Sequence, residues 1–331
     1  EAWPQLIIYR QDWFQQQGLA PPADFASLMD AAADLFQPDT VVSGIVVPTE
    51  SDLAATQQVF EQLASANGCD LVNSQGEVAL LHPACLEALD FYRELINQYS
   101  PIGVQTEVSA LNAFLAGRTG IIMASSAVLP QIAGLDPEFR PRCPDCTDDR
   151  FLVGNTAFES QIIGSGQFAE RASFIEIKNL GITTAADTEA AAAFAQHWFE
   201  TDYATWLRAN PERKIPLRQG TAREPTLFST AWISTPLTAN GPTLADLYGF
   251  AEISSLQEDL LPTQRWGFAA GRGELVSALY EELTLSPLLQ EMLSGYFTSS
   301  QTVVEMQRAV AGLIPGYDFP LPTPPSNDAD Q

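Results

Sequence analysis

Positive charge and imidazole are scarce in this chain. Its 331 residues hold 16 lysines and arginines against 41 aspartates and glutamates, and two histidines, for a net charge of −25. A field of that sign repels phosphate backbones and anionic headgroups, so nucleic acid and anionic membranes are poor partners and neither is expected. The carboxylates are spread along the chain without blocks, the pattern of a solvated acidic surface. His82 precedes a proline and His197 falls in a helical stripe, so neither sits in a recognisable catalytic triad. No apolar run approaches the roughly 18 residues of a membrane span, and no basic, apolar leader opens the sequence. G-x-S-x-G, H-E-x-x-H and phosphate-cradling glycine loops are also lacking, and Gly271-Arg-Gly273 is too short a glycine run to replace them.

Cysteine is sparse too: Cys69, Cys85, Cys143 and Cys146. Cys143-Pro-Asp-Cys146 is a C-x-x-C, a spacing shared by redox pairs, half zinc sites and small structural disulfides. Zinc wants four ligands, and both histidines are far off in sequence. The Pro- and Asp-rich loop around the motif and the even cysteine count favour disulfides outside the cytosol, with inert thiols, metal and redox chemistry as the alternatives.

Hydrophobic residues make up 46% of the chain, enough for a globular protein of one long domain or two smaller ones. Trp3 to Tyr9 reads as a short strand, and Asp24 caps a helix with Phe25, Leu28, Ala32 and Leu35 on one face. Val41 to Val47 reads as a buried strand, and Ser51 as the cap of the helix that follows it. Pro83 starts a helix, with His82 as a capping or surface residue, and Thr106 to Gly117 forms another. Ile121 to Met123 is a strand whose end, at Ser125 and Ser126, feeds a helix N-terminus with free N–H groups and hydroxyls.

The organising stretch is Ala172 to Gly220. Phe174 to Thr183 reads as extended, Thr184 to Asp187 as a helix start, and Asp187 to Leu207 as a helix with Phe194, Trp198, Phe199 and Tyr203 on a wide apolar face. Trp198 and Trp206 are expected in the core. Asn210-Pro211 ends the helix, and Lys214-Ile-Pro-Leu-Arg218 is an extended exit. Helices then carry Leu244 to Phe250, Leu275 to Leu283, Leu288 to Leu293 and Thr302 to Leu313, and the tail 315–331, rich in proline, reads as disordered.

The strand, the helix ending in Trp206-Leu207 and the Lys214 to Arg218 exit resemble the second crossover of family 1 extracellular solute-binding proteins of ABC transporters. Trp3 to Phe25 is similar to that family's L-x-Y-N-K-D-L-F signature, with Arg10 for asparagine and Phe25 for tryptophan. Phe114 to Ala127 is similar to its A-F-x-x-G-x-x-A-M-x-x-x-G-p-W region, with Ala127 or Val128 in place of the tryptophan. Ser294 to Met306 resembles its closing helix. The resemblance implies an α/β, two-lobed periplasmic-binding-protein fold of type II. Residues 1–172 and 226–314 would form the second lobe and residues 173–225 a crossover belonging to the first. About 100 residues of the first lobe are expected upstream of Glu1. It also implies a periplasmic or extracellular monomer, with a lipid anchor upstream as one option, that passes a sugar, sugar alcohol or polyol to membrane permease subunits without a cofactor or catalysis.

A polyol site needs rings for the C–H face and planar polar groups for the hydroxyls. Trp3, Tyr9, Trp232, Trp266 and Phe268 are candidates for the first, Glu50, Ser125, Ser126, Glu176, Asn179 and Arg265 for the second. Trp266 is expected to stack on the ligand. Other readings are a two-carboxylate glycosidase and a sensor built on the same fold.

Overall fold

The computed structural model describes residues 1–260 and 265–315. Residues 261–264 and the proline-rich stretch from 316, which the sequence reads as disordered, lie outside the described residues. Among the described residues seven strands are formed: β1 (Ala2–Arg10), β2 (Ser43–Val46), β3 (Thr119–Ser125), β4 (Thr156–Glu159), β5 (Ile162–Ile163), β6 (Arg171–Ala172) and β7 (Ile175–Ile177). The main sheet runs β2-β3-β1-β4, and β7 pairs with the N-terminal end of β1. β2 lies parallel to β3, while β1 is antiparallel to β3, β4 and β7. β5 and β6 form a separate two-stranded ribbon.

Alternation along the strands builds two cores from one sheet. Ile7 and Tyr9 of β1, Ile45 of β2, and Ile121 and Met123 of β3 face one core. Leu6, Ile8, Val46 and Ile122 face the other. The register agrees, since Ile7 lies opposite Met123 and Ile8 opposite Ile122. The first core is closed by the helices Phe25–Leu35, Ala54–Ala66, Pro83–Tyr99, Gly273–Glu281, Ser286–Leu293 and Ser299–Gly312. The second is closed by Glu107–Leu115, Tyr203–Leu207, Leu227–Ile233 and Phe250–Leu260. Burying a side chain such as Leu6 or Ile8 stabilises the fold by about 1.5–3 kcal/mol.

Local chemistry sets the element ends. Asp24 closes a capping box with Ser27, accepting its N–H at 2.7 Å. Gly44 lets the Phe25–Leu35 helix approach β2, because a Cβ there would lie 1.9 Å from the Ala32 carbonyl oxygen. His82 caps Pro83–Tyr99 through Nδ1, which accepts from the Ala84 N–H. Ser51 does not cap the next helix as expected. That helix begins at Ala54, and the Thr56 hydroxyl donates back to the Glu50 carbonyl at 2.7 Å, closing the loop in between. The strand expected from Val41 starts at Ser43, since Val41 takes a left-handed φ of 59°. Both cysteine pairs are disulfides, Cys69–Cys85 and Cys143–Cys146.

The stretch 172–220, expected as a crossover, departs most from expectation. Its strand is only Ile175–Ile177, and Asp187 alone caps the Thr188–His197 helix, accepting from Glu189 and Ala190. A π-turn at Trp198–Asp202 then separates it from Tyr203–Leu207. Phe199, Tyr203 and Leu207, four apart, still share one face across this turn, with the Phe199 and Tyr203 rings 5.6 Å apart between centroids. Tyr203 and Leu207 turn inward at 1% and 0% exposure, whereas Phe194 stays 57% exposed and Trp206 37%. Trp198 is half-buried, between Phe194 and Trp206 at 6.0 and 5.4 Å between ring centroids. Trp198 and Trp206 are thus not core residues, and Lys214 Nζ lies 3.6 Å from the Trp206 ring. The exit returns to the sheet through Ile215, which exchanges two backbone hydrogen bonds of 2.9 Å with Ala2.

Candidate functional site

The crossover and the first strand place several polar groups on one face. In the β1–β7 register Trp3 lies directly opposite Glu176, and in the β1–β3 register Gln5 lies opposite Ser125. Opposed residues share a face, and so do positions two apart. Trp3, Gln5, Glu176 and Ser125 therefore stand on the side of the Ala54–Ala66 helix, where Gln5 Nε2 donates to Gln62 Oε1 at 2.9 Å. Trp3, Ser125 and Glu176 are half-buried.

Beside this face opens a cavity of about 800 Å³. Ala54 and Gln58 of the helix form one wall; Phe174, Glu176, Ile177 and Asn179 of the crossover form a second; Arg265, Phe268, Val276 and Tyr280 form the third. The walls offer both rings for a C–H face and donors and acceptors for hydroxyls. A smaller, more polar cavity of about 430 Å³ lies nearby, lined by Asp70, Gln161, Arg171, Ser173 and Trp266, and Arg265 borders both.

Arg265 is the electrostatic centre of this region. Its Nε and Nη2 donate to the two carboxylate oxygens of Glu61, and Nη1 donates to the Ile175 carbonyl at 2.7 Å. The guanidinium carbon sits 4.0 Å from the Phe174 ring centroid. Glu61 also accepts from the Trp266 backbone N–H at 3.2 Å and from the Tyr280 hydroxyl, so a carboxylate only 2% exposed is fully engaged. Burial opposes the charge on Arg265, but the Glu61 carboxylate and its hydrogen bonds outweigh it and hold the guanidinium above its ordinary value. Burial first, then Glu61, pushes the Tyr280 phenol well above the usual range. Burial also raises the Asp70 carboxyl, against hydrogen bonds donated by Gly267 and Leu71.

The remaining candidates lie elsewhere. Trp266 is 2% exposed, its indole N–H donates to the Cys69 carbonyl at 2.8 Å, and its ring packs edge-on against Phe60. Trp232 is likewise 2% exposed and donates to the Pro211 carbonyl at 2.8 Å. Both indoles are core residues with their one donor satisfied, so the loop position of Trp266 does not present its ring for stacking as expected. Tyr9 is 6% exposed and packs on Phe14 at the other end of β1. Ser126 is buried and donates to the Glu212 carbonyl at 2.6 Å, leaving half-buried Ser125 as the more accessible hydroxyl of the pair. The backbone of Glu50 shapes the loop before the Ala54–Ala66 helix, its N–H donating to Gln105 and its carbonyl accepting from Thr56.

Sequence reasoning missed Gln58, Glu61, Phe174 and Tyr280 as parts of the site. Phe174 stands two residues from Glu176, a signal that was available. Glu61 and Arg265 are 204 residues apart, and no spacing links them. Among the described residues no group of three or more His, Cys, Asp or Glu side chains could hold a metal, and no helix is long and apolar enough to cross a membrane.

No protein-family model matches the chain. It is 31% identical over 131 residues to the Escherichia coli K12 protein YcjN, whose name assigns it as an ABC transporter periplasmic-binding protein. That match spans 40% of this chain and 30% of YcjN. Solved structures with a similar fold include an ABC transporter solute-binding protein from Agrobacterium radiobacter K84 in complex with ribitol, at TM-score 0.63 and 17% identity over 95% of this chain and 70% of that one. Maltose-bound MalE3 of T. maritima superposes at TM-score 0.62 and 17% identity, covering 95% and 71% of the two chains. A sugar transporter protein of Arthrobacter chlorophenolicus A6 with bound laminaribiose does so at 0.62 and 16%, again over 95% and 71%. The chain thus has the two-lobed α/β fold of these solved solute-binding proteins.

Proposed function

We propose that this protein is the substrate-binding component of an ABC importer, which captures a sugar, sugar alcohol or similar polyol between two lobes and delivers it to membrane permease subunits. The observation that carries the reading is the cavity of about 800 Å³ at the crossover, where Glu176 and Asn179 face Phe174, Phe268 and Tyr280. Carboxylate and amide oxygens accept from hydroxyls, the amide also donates, and the rings cover the apolar face of a pyranose or an extended polyol. Solute-binding proteins of this fold hold ribitol and maltose in the solved structures compared above. A site on a crossover segment also suits hinge closure, since the ligand then touches both moving bodies. The two disulfides fit an oxidising compartment, the periplasm or the cell exterior.

The site would act by binding alone, as a monomer. Calorimetry on the full-length protein with ribitol, mannitol, maltose and laminaribiose tests this. One-to-one binding of at least one of them, with the sugar recovered unchanged, is expected. Absence of heat with every one, or release of hydrolysis products, would overturn the reading.

A further inference from the structure

We infer that Arg265 serves this site as a positioning residue: it clamps the crossover strand to the body of the protein and so sets where Glu176 and Asn179 stand. The inference rests on the binding reading above and adds a mechanism to it. Arg265 grips two consecutive residues just before Glu176. Its Nη1 donates to the Ile175 carbonyl at 2.7 Å, and its guanidinium plane covers the Phe174 ring at 4.0 Å. The other edge of the guanidinium is held by Glu61, on the Ala54–Ala66 helix, through Nε and Nη2. Glu61 is fixed in turn by Tyr280, on the Gly273–Glu281 helix, and by the Trp266 N–H.

One buried ion pair therefore joins the crossover, the Ala54–Ala66 helix and the Gly273–Glu281 helix, which are the three walls of the cavity. Three of the five guanidinium N–H donors are spent on this clamp. A planar fork is suited to it, because it meets a carboxylate and a carbonyl at fixed angles, which an ammonium group does not. The clamp adds to a short strand. Among the described residues β7, three residues long, pairs with the end of β1, its flanks add one backbone bond each (Gln5 N–H to the Phe174 carbonyl, Lys178 N–H to the Glu1 carbonyl), and Ile175 is buried in the second core.

The test compares Arg265→Gln, Glu61→Gln and the double variant in the full-length protein, with two readouts. The first is the dissociation constant for whichever of ribitol, mannitol, maltose or laminaribiose the wild type binds. The second is hydrogen exchange at the Ile175–Ile177 amides in the unliganded protein. A clamp predicts that each single variant weakens binding about tenfold, and that the double variant is no weaker than the singles, since members of one network do not add. It also predicts faster exchange at Ile175–Ile177 in all three. Wild-type affinity in Glu61→Gln beside a loss in Arg265→Gln would show that Arg265 touches the ligand directly and would overturn the inference. Unchanged exchange in Arg265→Gln would overturn it as well. If the wild type binds none of the four compounds, the functional reading falls, and the exchange measurement still decides the clamp. Should both singles fail to fold, Tyr280→Phe removes a single donor to Glu61; it is expected to quicken exchange at Ile175–Ile177, and unchanged rates there would count against the clamp.

Discussion

Replacing Trp266 by alanine separates a core indole from a ligand-facing one. The ring is 2% exposed, lies in the core with Phe60, Leu275 and Val276, and meets Phe60 edge-on with centroids 6.0 Å apart. Removing it costs the transfer free energy of a large aromatic side chain plus the cavity left behind, about 3–5 kcal/mol together. The Cys69 carbonyl also loses its indole donor at 2.8 Å, an acceptor left short by about 1 kcal/mol. The sum is about 4–6 kcal/mol. At about 2–4 °C per kcal/mol for chains of this order of size, the thermal midpoint should fall by roughly 8–24 °C. Trp266→Phe keeps most of the volume and loses the hydrogen bond, so about half that drop is expected. Circular dichroism across a thermal ramp, with a urea titration for the midpoint and slope, measures the loss. A midpoint within about 1 °C of wild type, joined to weaker sugar binding, would refute the core assignment and restore the ring to the ligand.

Other perturbations have outcomes the structure specifies. Glu176→Gln removes a charged acceptor from a half-buried cavity wall; it should weaken sugar or polyol binding about tenfold in calorimetry while leaving the unfolding midpoint in place. Asp24→Ala deletes the capping box of the Phe25–Leu35 helix and should cost about 1 kcal/mol in urea unfolding. Hydrogen bonds donated by the Ser27 backbone and hydroxyl hold the Asp24 carboxyl below its ordinary 3.8. A group depressed in the folded state contributes above its unfolded value and loses that contribution as the pH falls through the folded one. The Asp24→Ala difference should therefore be full at pH 7 and shrink below pH 3.8. Removing the Cys69–Cys85 disulfide, whose ends are 16 apart, should cost about 3 kcal/mol, against about 2 for Cys143–Cys146, whose ends are three apart; paired Cys→Ala variants compared by urea midpoint check the order.

The parts of this protein that were legible in the sequence are those where one segment carries its own instructions. β1 could be read from Trp3 to Tyr9 because a β-rich apolar run is needed to fill two cores at once. The Phe25–Leu35 helix could be read because Asp24 and the spacing of Phe25, Leu28, Ala32 and Leu35 lie within three turns. The crossover helix was legible in its residues but not in its orientation. Hydrophobic spacing shows that a face is apolar without showing what covers it: Phe199, Tyr203 and Leu207 meet the second core, while Phe194 and Trp206 of the neighbouring stripes stay exposed. The site was least legible, for a related reason. Trp266 and Trp3 are both tryptophans near a turn or strand end, and only the Cys69 carbonyl, 197 residues away, takes one of them into the core. The Arg265–Glu61 pair spans 204 residues, and either residue alone resembles the many charged side chains of an acidic surface. A buried carboxylate must find enough donors to replace water, and the donors Glu61 finds come from Arg265, Trp266 and Tyr280, all in the last quarter of the chain. Apolar burial of Leu275, Val276 and Leu279 packs the Gly273–Glu281 helix on the first core, and the satisfied charge of Glu61 then fixes how that helix meets the Ala54–Ala66 helix and Arg265, so the cavity walls are aligned by a residue that does not line it.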